Sequence, residues 1–195
     1  VRSVHLRLLK DLFALLSSTH LKTEISELSR VLRQPGIKLG VKRAYGHTFD
    51  RLRADLARAD KLVGDIQSML EGSFKGLNAE YGFSLQAPSV PQLSHYTRDL
   101  SLIEQSHLQY LSLGNALRLA QPEFAERLAR ALMSRLRVVY ETAVNEVELW
   151  NKSAAAQLDA QLRERRRNFG RRIEAVSRIQ QAAGGLDERI RELQG

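Results

Sequence analysis

The four prolines of the chain fall at only three points, Pro35, the Pro88/Pro91 pair and Pro122, and the long stretches between them carry apolar residues at steps of three and four. A proline cannot continue a helical hydrogen-bond ladder, and a three/four step places side chains on one helical face. The pattern dictates an all-α chain of about four long helices. Strand-like alternation and Asn-Gly or Asp-Gly hairpin signals are absent, and Leu, Ala, Arg, Glu and Gln, all good helix formers, dominate.

The first helix is expected over 3–32, with Leu8, Leu12, Leu15, Leu21, Ile25, Leu28 and Leu32 on its stripe and a weak middle at Ser17-Ser18-Thr19. Pro35-Gly36 ends it. The second is expected over 41–81, with a near-heptad stripe from Tyr45 through Phe49, Leu52, Leu56, Ala59, Val63, Ile66, Leu70, Phe74 and Leu77 to Tyr81. Arg51, Asp55, Arg58 and Lys61 are assigned to its watery face. Residues 82–92 form a loop with three apolar side chains, Phe83, Leu85 and Val90. A third helix is expected over 93–120, with Leu93, Tyr96, Leu100, Ile103, His107, Tyr110, Gly114 and Leu117 in line. Gly114 in that line suggests close approach to another helix.

The fourth helix, 122–193, starts at a proline followed by Glu123 and Glu126, both favourable near a helix N-terminus. Its first half repeats at steps of 4, 4 and 3 through Leu128, Leu132, Leu136, Val139, Ala143, Val147, Trp150, Ala154 and Leu158. An eleven-residue repeat favours nearly straight packing. Its second half repeats every seven, at Leu162, Phe169, Val176, Ala183 and Ile190, with Arg165, Arg172, Ile179, Leu186 and Leu193 three residues further on. That is a coiled-coil seam holding two arginines. Gly170 and Gly184-Gly185 are where such a helix would bend, each glycine costing about 1 kcal/mol.

Short connections make neighbouring helices antiparallel. The expected architecture is a single stalk-like region, 1–195: an elongated antiparallel bundle whose last helix either overhangs or folds back along the first two. Val1 in place of Met, and a helical pattern still running at Gly195, suggest a piece of a longer chain.

An apolar content of 43% with 27% charged residues argues for a folded chain. The lack of cysteine excludes disulfide scaffolds, cysteine-held zinc, iron–sulfur clusters and thiol catalysis from this segment. No apolar run reaches the roughly 18–20 residues that span a bilayer. The net charge of +8, with 23 of 30 basic residues arginine, fits nucleic acid, anionic lipid or an acidic partner. Nothing but charge favours nucleic acid.

Catalytic motifs are missing. Gly36-Ile-Lys-Leu-Gly-Val-Lys-Arg43 has the wrong spacing for a phosphate loop and lacks its Ser or Thr. No two of the five histidines are three or four residues apart. His107, on an apolar stripe, reads as a core histidine, and Glu104 beside it as a surface contact. No catalytic, cofactor-binding or metal-holding residue is expected.

The densest chemistry is Arg163-Glu-Arg-Arg-Arg-Asn-Phe-Gly-Arg-Arg172. Arg163, Arg167 and Arg171 share a ridge flanked by Arg166, suited to phosphate, lipid or an acidic surface, or simply to water. A pair such as Asp159–Arg163 belongs to the watery reading. Arg165 and Arg172 face the seam, where a buried guanidinium needs a carboxylate from a neighbouring helix or subunit. Phe83, Leu85 and Val90 either enter a membrane interface or, as the lack of basic residues in the loop favours, cover the bundle end.

The runs Leu111-Ser-Leu-Gly-Asn-Ala-Leu-Arg-Leu-Ala120, Glu148-Leu-Trp-Asn-Lys-Ser-Ala-Ala-Ala-Gln-Leu-Asp159, Gln161-Leu-Arg-Glu-Arg-Arg-Arg-Asn-Phe169 and Arg172-Ile-Glu-Ala175 resemble the C-terminal helical part of bacterial dynamin-family GTPases. The resemblance spans about 93–194 and is strongest over 127–183. It implies a stalk or effector region that links nucleotide state to self-assembly, with partners in its own copies, the rest of its chain and an anionic membrane surface. It implies a bacterial cytoplasmic protein, peripheral to the inner membrane. The family's GTPase motifs are absent, so GTP and magnesium are expected only outside this segment. The rival readings are a curved, lipid-binding helical scaffold and a basic coiled-coil protein associated with nucleic acid.

Overall fold

The computed structural model describes residues 2–35, 40–111 and 115–194. Among them are seven helices: α1 (Arg2–Leu15), α2 (Ser18–Glu24), α3 (Ser26–Arg33), α4 (Val41–Tyr81), α5 (Tyr96–Tyr110), α6 (Ala116–Leu119) and α7 (Pro122–Gln194). A 3-10 turn, Leu93–His95, leads into α5, and the described residues contain no strand. The chain is all-helical, as its periodicity requires. No helix among the described residues is long and apolar enough to cross a membrane.

The expected first helix is three helices. Ser17 takes an extended conformation (φ −70°, ψ 149°), and its hydroxyl accepts from the His20 N–H at 3.1 Å, capping α2. Serine competes well for such a role because its oxygen replaces a missing helical partner. A second break falls at Ile25. There an Arg51 guanidinium donates to the Glu24 carbonyl at 2.8 Å. The stripe survives both breaks: Leu12, Leu21, Ile25, Leu28 and Leu32 are all buried.

α4 has the expected bounds, set by glycines at positive φ on both sides, Gly40 (83°) and Gly82 (61°). Only glycine enters that region freely. The stripe is buried from Tyr45 to Ile66 and again at Phe74, while Tyr81 is exposed. One assignment is corrected. Asp55 is buried, with His20 of α2 against its carboxylate at 2.7 Å. The third helix is also shorter than expected. It stops at Tyr110, so Leu111 and Leu119 turn inward while Tyr110 and Leu117 face water. Gly114 lies outside the described residues.

α7 runs unbroken through Gly170 and Gly184-Gly185, about 110 Å at 1.5 Å per residue. Its eleven-residue stripe is buried from Leu128 to Ala154, and Leu158 is half-buried. The contacts descend one helix as they climb the next. Arg53 pairs with Glu104 and Asp60 accepts from the Leu93 N–H at 2.9 Å. Arg135 donates to Ser106, and the Tyr96 hydroxyl donates to Glu146 at 2.8 Å. One apolar core joins α1 to α5 with the first half of α7. Trp150 belongs to it and donates its indole N–H to Gln67 at 3.2 Å.

His107 is a core residue, with the Tyr45 hydroxyl 3.4 Å from its Nδ1. Burial, then the charge of Arg135, lowers its pKa from the usual 6.5 to about 4. Between those values the unfolded chain binds a proton that the folded chain refuses, so stability present above pH 6.5 is lost as pH falls toward 4. The loss amounts to about 3 kcal/mol by pH 4. Urea denaturation at pH 7 and pH 4 should show His107→Leu losing less stability than the parent across this interval. Identical losses in the two proteins would contradict the assignment.

Candidate functional site: the loop end and the free part of the last helix

Residues 82–92 do not swing free. The Asn78 side chain clamps Leu85 from both sides, donating to its carbonyl and accepting from its N–H, each at 2.9 Å. Gln157 of α7 accepts from the Gln86 N–H at 3.1 Å, and Gln67 donates to the Pro88 carbonyl at 3.3 Å. Thus tethered, the loop turns Phe83 and Leu85 inward onto Phe74 and Ala154, with Leu70, Leu77, Ala87 and Leu158 around them. This small cluster closes the end of the packed body. Phe83 and Leu85 therefore do not form an exposed insertion tip. Of the three loop candidates only Val90 is exposed.

Beyond this cluster α7 continues alone. Leu162, Phe169, Val176 and Ile179 are 49%, 68%, 54% and 67% exposed, and Ile173 stands among them at 56%. Leu186 lies outside the residues whose side chains are described. The proposed seam is thus a row of large apolar side chains in water, whose burial elsewhere would be worth roughly 1.5–3 kcal/mol each.

The two seam arginines differ from expectation. Neither is buried, and neither makes an ion pair among the described residues. Arg165 instead lies over the Phe83 ring, its guanidinium carbon 4.9 Å from the centroid, an attraction to the negative ring face. Arg165, Phe169 and Arg172 line one side of an open groove of about 710 Å³, and Gly82 and Ser84 line the other. Arg163 pairs within its own helix with Asp159 at 3.8 Å. Arg163, Arg166, Arg167 and Arg171 are all exposed, so the ridge stands in water.

Glu104 is taken up by Arg53 and does not pair with His107. A polar cluster inside the body escaped the sequence reading: His20, Glu24 and Asp55, with Arg51 beside Glu24 at 2.8 Å. His20 and Glu24 share a helix face at i and i+4, which was readable. Asp55, which completes the group from α4, was not. Burial raises the pKa of the Tyr45, Tyr96 and Tyr140 hydroxyls, and at Tyr96 the hydrogen bond to Glu146 adds to it.

No protein-family model matches the chain, and searches of curated proteins and of solved structures found no match.

Gly82 is the tightest point of the loop end. Its φ is +61°, and a Cβ there would meet the Arg165 guanidinium at 3.1 Å. Gly82→Ala should destabilise the chain by about 1–2 kcal/mol through the left-handed backbone alone. Adding Arg165→Ala should restore little of it, since the arginine is the flexible partner. Chemical denaturation of both variants checks this, and full recovery in the double variant would place the strain in the contact instead.

Proposed function

We propose that this chain is a non-catalytic helical stalk that self-associates through the free part of α7. The observation that carries the reading is the exposed row Leu162, Phe169, Ile173, Val176 and Ile179 on a helix that outruns the body it packs against. Exposed apolar residues in single positions need no explanation, but a row at seam spacing does.

The occupant we assign is a second copy of the same helix, crossing in the opposite direction. Residues 163–172 carry six arginines and one acid, while residues 173–195 carry four acids, Glu174, Asp187, Glu188 and Glu192, against three arginines, Arg178, Arg189 and Arg191. A parallel, in-register pair would stack arginine runs on each other. An opposed pair sets each run near the almost neutral stretch of its partner, which removes that repulsion, as flanking charges do in choosing coiled-coil orientation. The body would then be an antiparallel bundle from which the paired helix projects.

The resemblance to the helical part of bacterial dynamin-family GTPases gives this stalk a context. In such a protein it would pass the state of a GTPase outside this segment into contacts between copies, at a membrane surface. A lipid-binding scaffold is the second reading. It is favoured by one observation, the exposure of Arg163, Arg166, Arg167 and Arg171 on a single helical segment.

Sedimentation equilibrium separates the two. The chain should dimerise with rising concentration, and Phe169→Asp with Ile179→Asp should hold it monomeric while the packed body stays folded. Arg163→Glu with Arg167→Glu should leave lipid sedimentation unchanged. A monomer at all concentrations overturns the self-association reading. A loss of binding to anionic vesicles in the arginine variant favours the scaffold.

A further inference from the structure

His20 on α2, Glu24 one turn later and Asp55 on α4 bring three ligand atoms within 4.8 Å of one another. His20 Nε2 lies 2.7 Å from Asp55 Oδ2 and 3.9 Å from Glu24 Oε1. For an ion bound at about 2.0–2.2 Å, neighbouring ligand atoms sit roughly 3 Å apart, between those two distances.

Each carboxylate divides its oxygens in the same way. Glu24 gives Oε2 to Arg51 at 2.8 Å and turns Oε1 toward His20. Asp55 turns Oδ1 to Arg58 at 3.4 Å and Oδ2 to His20. Outer partners that fix the orientation of a ligand while leaving its inner atom free are the usual surroundings of a metal site. Glu27, 3.6 Å from Arg51, offsets part of the arginine charge.

A second observation points to the same spot from the opposite helix. Tyr140 of α7 is 2% exposed, and its hydroxyl has no hydrogen-bond partner among the described residues. A buried hydroxyl without a partner costs about 1–3 kcal/mol. The charged groups that bear on this hydroxyl are Asp55 and Glu24. A water or ion held between those carboxylates would give it a partner. On the outer side an open cleft of about 560 Å³, with Asp11, Asp65, Arg58 and Lys61 on its walls, reaches His20.

We infer that His20, Glu24 and Asp55 form a binding site for one divalent transition-metal ion, and that a water on that ion partners the Tyr140 hydroxyl. The imidazole selects a first-row transition ion over magnesium or calcium, which prefer all-oxygen sites. The ion would tie the broken first segment to α4 and α7.

The test is a titration of the whole chain with Co²⁺ followed by visible absorption, then displacement by Zn²⁺ followed by calorimetry. One ion per chain is expected, bound at least ten-fold more weakly by His20→Gln and by Glu24→Gln. Tyr140→Phe, which keeps the ring in the core, should weaken it about ten-fold as outer-shell losses do. Circular dichroism of each variant reports whether it is folded. Should a variant unfold, the parent decides the matter: Mn²⁺ should broaden the His20 ring resonances ahead of those of His5, His47 and His95. Absence of saturable binding, affinity unchanged in His20→Gln, or equal broadening of His5, His20, His47 and His95 would overturn the site and leave a hydrogen-bonded His20–Asp55 pair.

Discussion

The structure turns on a mismatch of length. α7 has 73 residues, and α4, the longest helix beside it, has 41. A helix can bury its stripe only where another helix lies alongside. The stripe of α7 keeps an eleven-residue period where it is covered, and turns to a seven-residue period near the place where the cover ends. The first period suits near-straight packing in a body of several helices, the second a supercoil with one partner. The change of period near Leu158 therefore coincides with the end of the cover that the body supplies.

That junction is a built feature. Phe83, Leu85, Phe74 and Ala154 close the body, and Asn78, Gln157 and Gln67 hold the loop to it through backbone groups that would otherwise be unmatched. Arg165 then lies on the Phe83 ring, so the first free turn of α7 rests against the loop. The other departure from a plain bundle is the twice-broken first segment. His20 of α2, between the two breaks, reaches Asp55, and the guanidinium of Arg51 takes the carbonyl at the second break. The result is a polar cluster of buried Asp55 with half-buried His20 and Glu24.

What the sequence made legible is what depends on neighbours in the chain. Gly40 and Gly82 bracket α4, and the spacing from Leu128 to Ala154 predicts its burial correctly. What stayed hidden depends on residues far apart. That Phe83 and Leu85 cover the bundle end is the reading the loop composition favours, but the side chains that hold the loop there, Asn78 and Gln157, are not legible, the latter lying 71 residues from its bonding partner. The burial of Asp55 is settled by His20, 35 residues away. The end of α5 at Tyr110 has no proline to announce it, so the regular three/four spacing ran on past the true stop. The seam was legible as a pattern, while the role of Arg165 was not, because its partner is a ring on the loop and not a carboxylate.

The free part of α7 also bears on how association and folding relate. A lone helix gains little from hydrogen bonding alone, and isolated helices of modest length are marginal in water. Gly170, Gly184 and Gly185 subtract about 1 kcal/mol each, and no Cβ placed at any of the three would touch a neighbour within 4 Å. Close packing therefore does not call for these glycines within one copy of the chain. Their cost must be met by burial of Leu162, Phe169, Ile173, Val176 and Ile179, which the single chain leaves in water. Under the proposed self-association, pairing with a second helix would stabilise the helix in this stretch by an amount that depends on protein concentration. The body up to Leu158 differs in that its stripe is covered within one copy of the chain.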